Sequence, residues 1–496
     1  MKKFYITTAI LYTNGPPHIG FAMELVQADA LARYRRLVGD DVQFLTGTDE
    51  HGATVVKGAE KAGEDVKEFV DEMAGKALKL TKALNISNDD FIRTSDKVRH
   101  WPGAVKFWRE LAGRGDLYKK NYEGLYCVGH EAFMKKSDLV GGLCPLHKTE
   151  PEKVKEENWF FKLAKYKNEI KKKIEDDELK IVPVSRKNEI LNLFDDAEDV
   201  SFSRPSKDLK WGIPVPGDDS QTMYVWADAL TNYITALGYG ENSDNFKKYW
   251  PADIHLVGKD ILRFHAMIWP TMLLAAELPL PRSIYVHGFI TVDGEKMSKT
   301  TGNVIDPFAL VKKYGSEVVR YFLLREIPSG DDGDFSLKKL EERYNGDLAN
   351  GLGNLVQRVA TLIDTKMDGE LIYKKEVMRE FNDDEFLGIE TFNKHINEFE
   401  LHKALEHIWS RIGIANSFVD TRKPWVEVRE NQERFLETMT QLVVMVRHIS
   451  WLLQPFMPET SKKIFDIFSD DLTYPLPEDY RFTVKRVEAL FPRLSK

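Results

Sequence analysis

Cysteine is nearly absent: Cys127 and Cys144 are the only two in 496 residues. Two thiols cannot build the disulfide framework of a small secreted domain, and a pair placed near histidines points to a thiol-based metal site. Long apolar runs are missing as well. No window approaches the roughly 18 uninterrupted apolar residues of a membrane span, and the opening MKKFYITTAI has only a short apolar run with no small-residue cleavage site behind it. A soluble, cytoplasmic protein with no membrane partner is therefore expected. Internal repeats, low-complexity stretches and a large excess of one charge are also absent, since 70 Lys and Arg stand against 78 Asp and Glu for a net charge of -8. With 43% hydrophobic and 30% charged residues the composition is that of a globular protein, which excludes disorder across the whole chain. The length corresponds to about three or four domains. The acidic balance argues only weakly against nucleic-acid binding, because phosphate contacts need local Lys and Arg rather than global charge.

What is present is a repeated pattern of strand, glycine-bearing loop and helix. Lys3 to Leu11 (KFYITTAIL) is an apolar, β-branched run that ends in the turn signals Asn14-Gly15-Pro16-Pro17. Phe21 to Val38 then carries Met23, Leu25, Val26, Ala30, Leu31, Tyr34 and Leu37 at helical spacing, with Arg33, Arg35 and Arg36 late and Gly39 as C-cap. A second buried run, Val42 to Leu45, leads into Thr46-Gly47-Thr48-Asp49-Glu50-His51-Gly52. Two more, Ile254 to Val257 and Ile284 to Val286, lead into Gly258-Lys259-Asp260 and His287-Gly288. Ligands of open parallel sheets bind beyond the carboxyl ends of the strands, so these loops are predicted to converge on one crevice. Residues 116–223 read as an insertion holding both cysteines, a lysine-rich helical segment (Lys165 to Lys173) and the extended WGIPVPG. From about Gly346 the pattern is helical, interrupted at Lys423-Pro424 and Gln454 to Pro458, which predicts a C-terminal helix bundle. The stretch from about Leu472 is too irregular to assign.

Several constellations carry chemistry. Pro17-His18-Ile19-Gly20 begins the first helix, where unpaired N–H groups and the helix dipole favour anions; His18 adds a donor for phosphate, and Gly20 lets a nucleotide lie against the backbone. A histidine that merely caps a helix is the ordinary alternative. Lys296-Met297-Ser298-Lys299-Thr300 follows Asp293-Gly294, which predicts a hairpin with a type I′ turn. Two lysines on such a loop suit a triphosphate whose leaving pyrophosphate must be neutralised, although most charged loops are only solvated. Cys127-x-x-His130 and Cys144-x-x-His147 are two chelating pairs across a Gly141-Gly142 turn. Two thiolates and two imidazoles suit a closed tetrahedral Zn²⁺ site, structural because no position is open; the alternative is two isolated cysteines beside incidental histidines. Asp49, a carboxylate at the end of a strand, has no packing reason to be there. Asn354 and Arg358 lie one helical turn apart, and Trp425 follows Lys423-Pro424 at a helix start. An amide, a guanidinium and a stacking aromatic are what single-stranded RNA recognition uses, but such pairs are commonplace on exposed helices and tryptophan is often core.

Together the His-Ile-Gly and Lys-Met-Ser-Lys signatures resemble those of class I aminoacyl-tRNA synthetases. The likeness to methionyl-tRNA synthetases runs along the chain through TGTDEHG (Thr46 to Gly52), WGIPVP (Trp211 to Pro216), YVWADAL (Tyr224 to Leu230), HLVGKDILRFH (His255 to His265), HGF (His287 to Phe289), KMSKTTGNVIDP (Lys296 to Pro307) and RYFLLRE (Arg320 to Glu326). The resemblance implies an α/β fold with a Rossmann-like parallel-sheet catalytic domain in two halves, 1–115 and 224–345. A connective domain with a zinc knuckle is implied at 116–223 and an α-helical anticodon-binding domain at 346–496. It implies L-methionine, ATP with Mg²⁺, and tRNA(Met) with its CAU anticodon as partners, and one structural Zn²⁺ on Cys127, His130, Cys144 and His147. Catalysis is assigned by the resemblance to His18, Lys296 and Lys299, and ATP binding to these with Gly20, Gly258, Lys259, Asp260, His287 and Gly288. Methionine is an unbranched thioether, which calls for an apolar, aromatic pocket with one weak donor and one carboxylate for the ammonium. The matching positions are Ile10, Tyr12, Asp49, Val225, Trp226, Ala229, Leu230, Tyr233, Ile261 and His265, although periodicity alone would read Trp226, Leu230 and Tyr233 as helix core. Asn354, Arg358 and Trp425 match the positions that read the anticodon. No appended module is evident after the helical stretch, so a monomer is expected.

One departure stands out. The family's first signature ends in a second histidine, where this chain has Phe21, read as lying on the same face as His18. A phenyl ring donates nothing to a phosphate, and losing one donor of that kind costs on the order of 10²-fold in rate. Two other readings therefore stay open. A class I synthetase for leucine, isoleucine or valine would usually carry a large editing domain, for which 116–223 is short. A non-catalytic methionine- or tRNA-binding relative would have no use for the pyrophosphate lysines.

Overall fold

The β-branched run at the N-terminus forms the strand from which a parallel sheet grows in both directions. The computed structural model describes residues 1–496 apart from 128–131, 135, 146–147, 242, 298–302, 375–382, 469–478, 485–487 and 495–496. The chain divides into two units, Met1–His287 and Gly288–Lys496.

In the first unit the sheet is built from β1 (Lys3–Thr8), β2 (Leu11–Tyr12), β3 (Asp41–Asp49), β4 (Asp90–Arg93), β5 (Lys180–Val182), β6 (Ile254–Gly258) and β7 (Ser283–His287). Its order is β2-β3-β1-β6-β7-β5, with β4 also on β3, and every pairing is parallel. The crossover from β1 to β3 is made by α1 (Ile19–Leu37), which Gly39 follows at φ 90 as the expected stop. The chain places β3 on one side of β1 and β6 on the other. Such a reversal opens a crevice at the carboxyl ends of those strands. β6 and β7 are buried along their whole length, as continuous apolar strands are when both faces are covered.

The register contains one irregularity that bears on the site. Leu45 pairs with Thr7 on one edge and Asp90 on the other, and Thr48 pairs with Leu11 and Arg93, so β2 continues β1 along the same edge of β3. Lys3 pairs with Asp41 but Leu11 with Thr48, which leaves one extra residue between the two strands. Ile10 lies in that break, half-buried, beyond the end of β1.

Behind the sheet's carboxyl edge lie α2 (Trp101–Gly113), α3 (Val225–Ala229) and α4 (Asn232–Thr235). The single helix expected over Trp226 to Tyr233 is thus two short ones, broken at Leu230 and Thr231. Trp269 is fully buried at the centre of this core, with the rings of Phe107, Tyr233 and Trp250 each centred 6.0 Å from it. Truncating a ring so placed to alanine costs roughly 3–5 kcal/mol.

The segment read as an insertion is only partly separate. Leu117–Cys127 and Glu152–Phe161 form a long antiparallel ladder, from Leu117 opposite Phe161 to Tyr126 opposite Glu152. The lysine-rich helix, Leu163–Glu175, buries Leu163, Ile170 and Ile174. The chain then returns through β5 to the edge of the main sheet, pairing Ile181 with Ile284. Three residues are too short a run to signal a strand from pattern alone.

In the second unit β8 (Ile290–Val292) and β9 (Glu295–Lys296) pair antiparallel around Asp293 and Gly294, both at positive φ, as the type I′ turn requires. The helical array that follows includes α5 (Asn354–Lys366), α6 (Leu401–Arg422), α7 (Pro424–Glu430) and α8 (Gln432–Leu453). Arg320, fully buried, donates from Nε to the carbonyl oxygen of Phe456 at 2.9 Å and from Nη2 to that of Pro455 at 3.2 Å. The array is not wholly helical: β10 (Glu370–Lys374) and β11 (Asp479–Thr483) pair antiparallel, burying Leu371 and Phe482. Among the described residues no helix is long and apolar enough to cross a membrane.

Candidate functional site

The carboxyl edge of the first unit's sheet gathers most of the residues picked out in the sequence. His18 caps α1 in extended backbone, and Gly20 N–H donates to its Nδ1 at 3.1 Å. Nε2 must then carry the ring proton, which makes it a donor for an incoming anion. The cap also explains Gly20: a Cβ there would stand 2.9 Å from His18 Cε1, so any side chain pushes the imidazole away. Phe21 does not share the face of His18. The histidine is exposed and lies outside the helical turn, where the i, i+3 rule does not apply, whereas Phe21 is buried in the first turn.

At the end of β6, Gly258 is approached by Asp260, whose Oδ1 would lie 2.7 Å from a Cβ at that glycine; Lys259 and Asp260 start a short 3₁₀ turn ending at Ile261. At the end of β7, His287 Nε2 lies 2.8 Å from Glu24 Oε2 of α1. Burial pushes the Glu24 carboxyl up, and the bond to His287 works against that shift. Gly288 and Lys296 belong to the second unit, where a Cβ at Gly288 would stand 2.2 Å from the Asp331 carbonyl. Lys296 closes β9, and Lys299 lies outside the described residues.

The amino-acid pocket is wired in detail. Asp49 ends β3 and is buried, with its backbone carbonyl accepting from Thr13 N (2.9 Å) and Thr13 Oγ1 (3.0 Å). Trp226 stacks on Phe264 with centroids 3.8 Å apart and planes 4° from parallel, and the His265 ring stands edge-on to it. His265 sits in a π-helical turn, Phe264–Ile268, whose wider winding lets Nδ1–H donate to Ile261 O at 3.0 Å. Its Nε2 therefore accepts from the Tyr233 hydroxyl at 2.7 Å. Burial holds the imidazole neutral, its pKa lowered to about 4. Behind Tyr233 stands His255, ring centroids 4.3 Å apart, which accepts from Trp269 Nε1 (3.3 Å) and donates to Thr7 Oγ1 (2.7 Å). The Tyr5 hydroxyl holds the Tyr233 carbonyl at 2.8 Å. Val225, Ala229 and Leu230 are buried, and Ile10, Tyr12 and Ile261 pack against the same cluster.

Pattern reasoning missed the neighbours of Asp49. Glu50 is paired bidentately by Arg93 (2.7 and 2.9 Å) and accepts from Thr48 Oγ1 at 2.6 Å. His51 donates from Nδ1 to Asp228 at 2.5 Å, and His100 Nε2 donates to the other oxygen of Asp228 at 2.7 Å. The signal was available: an acid, an acid and a histidine in succession within TGTDEHG, and the acid of YVWADAL, are polar groups at positions the sheet and helix bury.

Cys127 ends the long ladder and Cys144 follows a bridge between Val140 and Leu143; both thiols are buried and free of disulfides. His130 and His147 lie outside the described residues, and among those described no group of three or more potential ligands is assembled. On α5, Asn354 is exposed and Arg358 is paired with Asp420 at 2.7 Å, its guanidinium 5.5 Å from the centre of the Trp425 ring on α7. Arg358 and Trp425 thus meet within the second unit, and Asn354 lies one turn before Arg358 on α5.

Comparison with known proteins shows the family. Residues 4–153 and 135–360 match the family described as tRNA synthetases class I (M), and residues 375–490 match the anticodon binding domain of methionyl tRNA ligase. The methionine–tRNA ligase of Clostridium acetobutylicum is 44% identical over 508 residues, spanning 100% of this chain and 78% of that protein. That of Brucella suis is 42% identical over 492 residues, spanning 96% and 95%. The solved structure of Mycobacterium tuberculosis methionyl-tRNA synthetase in complex with methionyl-adenylate superposes with a TM-score of 0.93 at 38% identity, covering 99% of this chain and 100% of that one. These likenesses run along the whole chain and across both units, and the chain belongs to the methionine–tRNA ligase family of class I tRNA synthetases.

Proposed function

We propose that this chain joins methionine to tRNA(Met) in two steps, with the residues above in the following roles. Asp49 pairs with the substrate ammonium. The side chain lies among Ile10, Tyr12, Val225, Trp226, Ala229, Leu230, Ile261 and His265, with Tyr233 near the sulfur. The methionine carboxylate attacks the α-phosphorus of ATP, forming the acyl–phosphate bond while the bond to the β-phosphate breaks, and pyrophosphate leaves with its Mg²⁺. Catalysis of this step is positioning and charge stabilisation rather than proton transfer. His18 Nε2, Gly20 and the α1 N-terminus serve the phosphates; Gly258, Lys259, Asp260, His287 and Gly288 serve the nucleoside; Lys296 and Lys299 neutralise the pyrophosphate. A terminal hydroxyl of the tRNA then attacks the acyl carbonyl and AMP leaves.

The neutral Tyr233–His265 pair facing the same crevice as Asp49 is the observation that carries the amino-acid assignment. An uncharged hydroxyl and imidazole that already satisfy each other among aromatic rings make a neutral, polarisable wall, which suits a thioether.

The residues also fit a zinc ion. Cys127 and Cys144 are both buried, and Cys144 is so in spite of the exposed Gly141, Gly142 and Leu143 that precede it. Cys144 lies in a tight loop, its N–H donating to Thr149 O at 2.9 Å and its carbonyl accepting from Lys148 N at 2.8 Å. With His130 and His147 they would hold Zn²⁺ as a structural cross-link, and no chemical step passes through it.

On the second unit, Trp425 offers a face on which a base can stack, with Asn354 and Arg358 beside it for base edges. The experiment is a charging assay on acid gels, with CAU-bearing tRNA against the same tRNA carrying a substituted anticodon. Charging by methionine of the CAU form alone is expected; equal charging of both would remove the anticodon role.

A further inference from the structure

Asp228 has no part in the scheme above, yet it is a buried carboxylate held by two imidazoles on the helix that carries Trp226 and Ala229. It stands on α3 between Trp226 and Ala229, 1% exposed, and accepts from two imidazoles that arrive from different directions. His51 comes from the loop directly after Asp49, and His100 from the turn that starts α2, its Nδ1 lying 2.8 Å from Thr235 Oγ1 of α4. Burying a carboxylate to this depth is costly, and an apolar side chain would fill the space more cheaply. Burial alone would raise the Asp228 carboxyl, but His51 and His100 hold it low, at about 2, so the acceptor stays anionic through any working pH.

His51 is the joint. Its ring is flanked edge-on by Trp101 (6.0 Å) and Trp211 (5.8 Å), and Trp211 Nε1 in turn donates to Glu50 O at 2.5 Å. Its backbone N–H points back to Asp49 Oδ1 at 3.5 Å, where Thr94 Oγ1 also lies at 3.5 Å. The end of β3 is therefore tied to α3 through the His51 imidazole, with His100 joining the same carboxylate to α4, and Asp49 lies two residues before the tie.

We propose that Asp228, through His51 and His100, is a positioning residue for amino-acid recognition, clamping the end of β3 to α3 so that Asp49 meets the substrate ammonium at a preset distance. The inference rests on the assignment of Asp49 to that ammonium. With the clamp open, Asp49 and its loop must be ordered when methionine binds, so the loss falls on methionine and not on ATP.

The test uses the full chain. Methionine affinity is read by titrating tryptophan fluorescence, and KM values by methionine-dependent ATP–pyrophosphate exchange, for Asp49→Asn, Asp228→Asn and the double variant. Asp49→Asn is expected to weaken methionine by about 10²-fold or more. Asp228→Asn should weaken it about tenfold, as for one buried charge-assisted hydrogen bond, with KM for ATP within twofold. The double variant should bind no worse than Asp49→Asn alone, because nothing is left to position. Additive loss in the double variant, or KM for ATP rising in step, overturns the clamp while leaving the Asp49 assignment intact. Normal methionine binding by Asp49→Asn overturns the assignment and the clamp with it. If Asp228→Asn does not fold, His51→Gln, which keeps an N–H donor, should hold affinity within about threefold while His51→Leu loses about tenfold; equal affinities would sink the proposal.

Discussion

The amino-acid pocket and the surface carrying Asn354, Arg358 and Trp425 are built in opposite ways. In the pocket, Tyr233, His265 and Asp228 are each 1% exposed and each has a fixed partner, so donor and acceptor roles are set before any ligand arrives. On the second unit Trp425 is 43% exposed and Arg358 is held by an exposed carboxylate, an arrangement that water can open at little cost. A small ligand with one weak polar atom has to be recognised by groups that cannot move, in surroundings where a mismatch leaves something unpaired. A nucleic-acid base supplies its own large stacking face, and an exposed ring can wait for it.

This contrast can be broken by experiment. The largest effect is expected for Asp49→Asn, which should lower kcat/KM for methionine in pyrophosphate exchange by about 10³-fold, as for truncating a buried charge pair, while tRNA affinity in a filter-binding assay stays unchanged. The next is a pH effect. His265 is held near 4 in the folded protein, against 6.5 as its ordinary value, so between these limits the unfolded chain binds more protons and stability rises with pH. Thermal unfolding should lose on the order of 3 kcal/mol to this one group as pH falls from 6.5 to 4, and His265→Asn should flatten that slope. Trp425→Ala comes third: it should weaken CAU-bearing tRNA by about 1–3 kcal/mol, the cost of one lost stacking contact, with exchange untouched. Smallest is Phe21→His. Because the ring is buried, the variant should lose about 1–2 kcal/mol of stability with exchange within about threefold of the parent; a tenfold rise would show that the phosphate site lacks only a donor.

The parts of this molecule that could be read from sequence are those whose signal is local. The strands ending at Thr8, Asp49, Gly258 and His287 announce themselves as β-branched runs with a glycine-bearing loop behind, and the Asp293-Gly294 hairpin follows from two residues at positive φ. β3 proved twice as long as its apolar run because Thr46, Gly47 and Thr48 continue the ladder with β4 and β2. The clamp is legible only as separate polar residues, and its pairing is not: His51 and Asp228 are 177 residues apart, and His100 and Asp228 128 apart, so no window contains both partners. The pairing of β10 with β11 joins Glu370 to Thr483 and fails the same way. The expectation for Asp49 rests on a carboxylate at a strand's C-terminal end having no packing reason to be there. Glu50 and Asp228 show that argument to be incomplete, since each is buried beside it with partners of its own.

The most direct measurement is amino-acid-dependent ATP–pyrophosphate exchange, with methionine, homocysteine, leucine, isoleucine and valine run side by side on the same preparation. Exchange strongest with methionine, and falling when Tyr233→Phe removes the hydroxyl that faces His265, is the predicted result. Equal or stronger exchange with leucine, isoleucine or valine would contradict the pocket described here, and no exchange with any of the five by folded protein would contradict the chemistry.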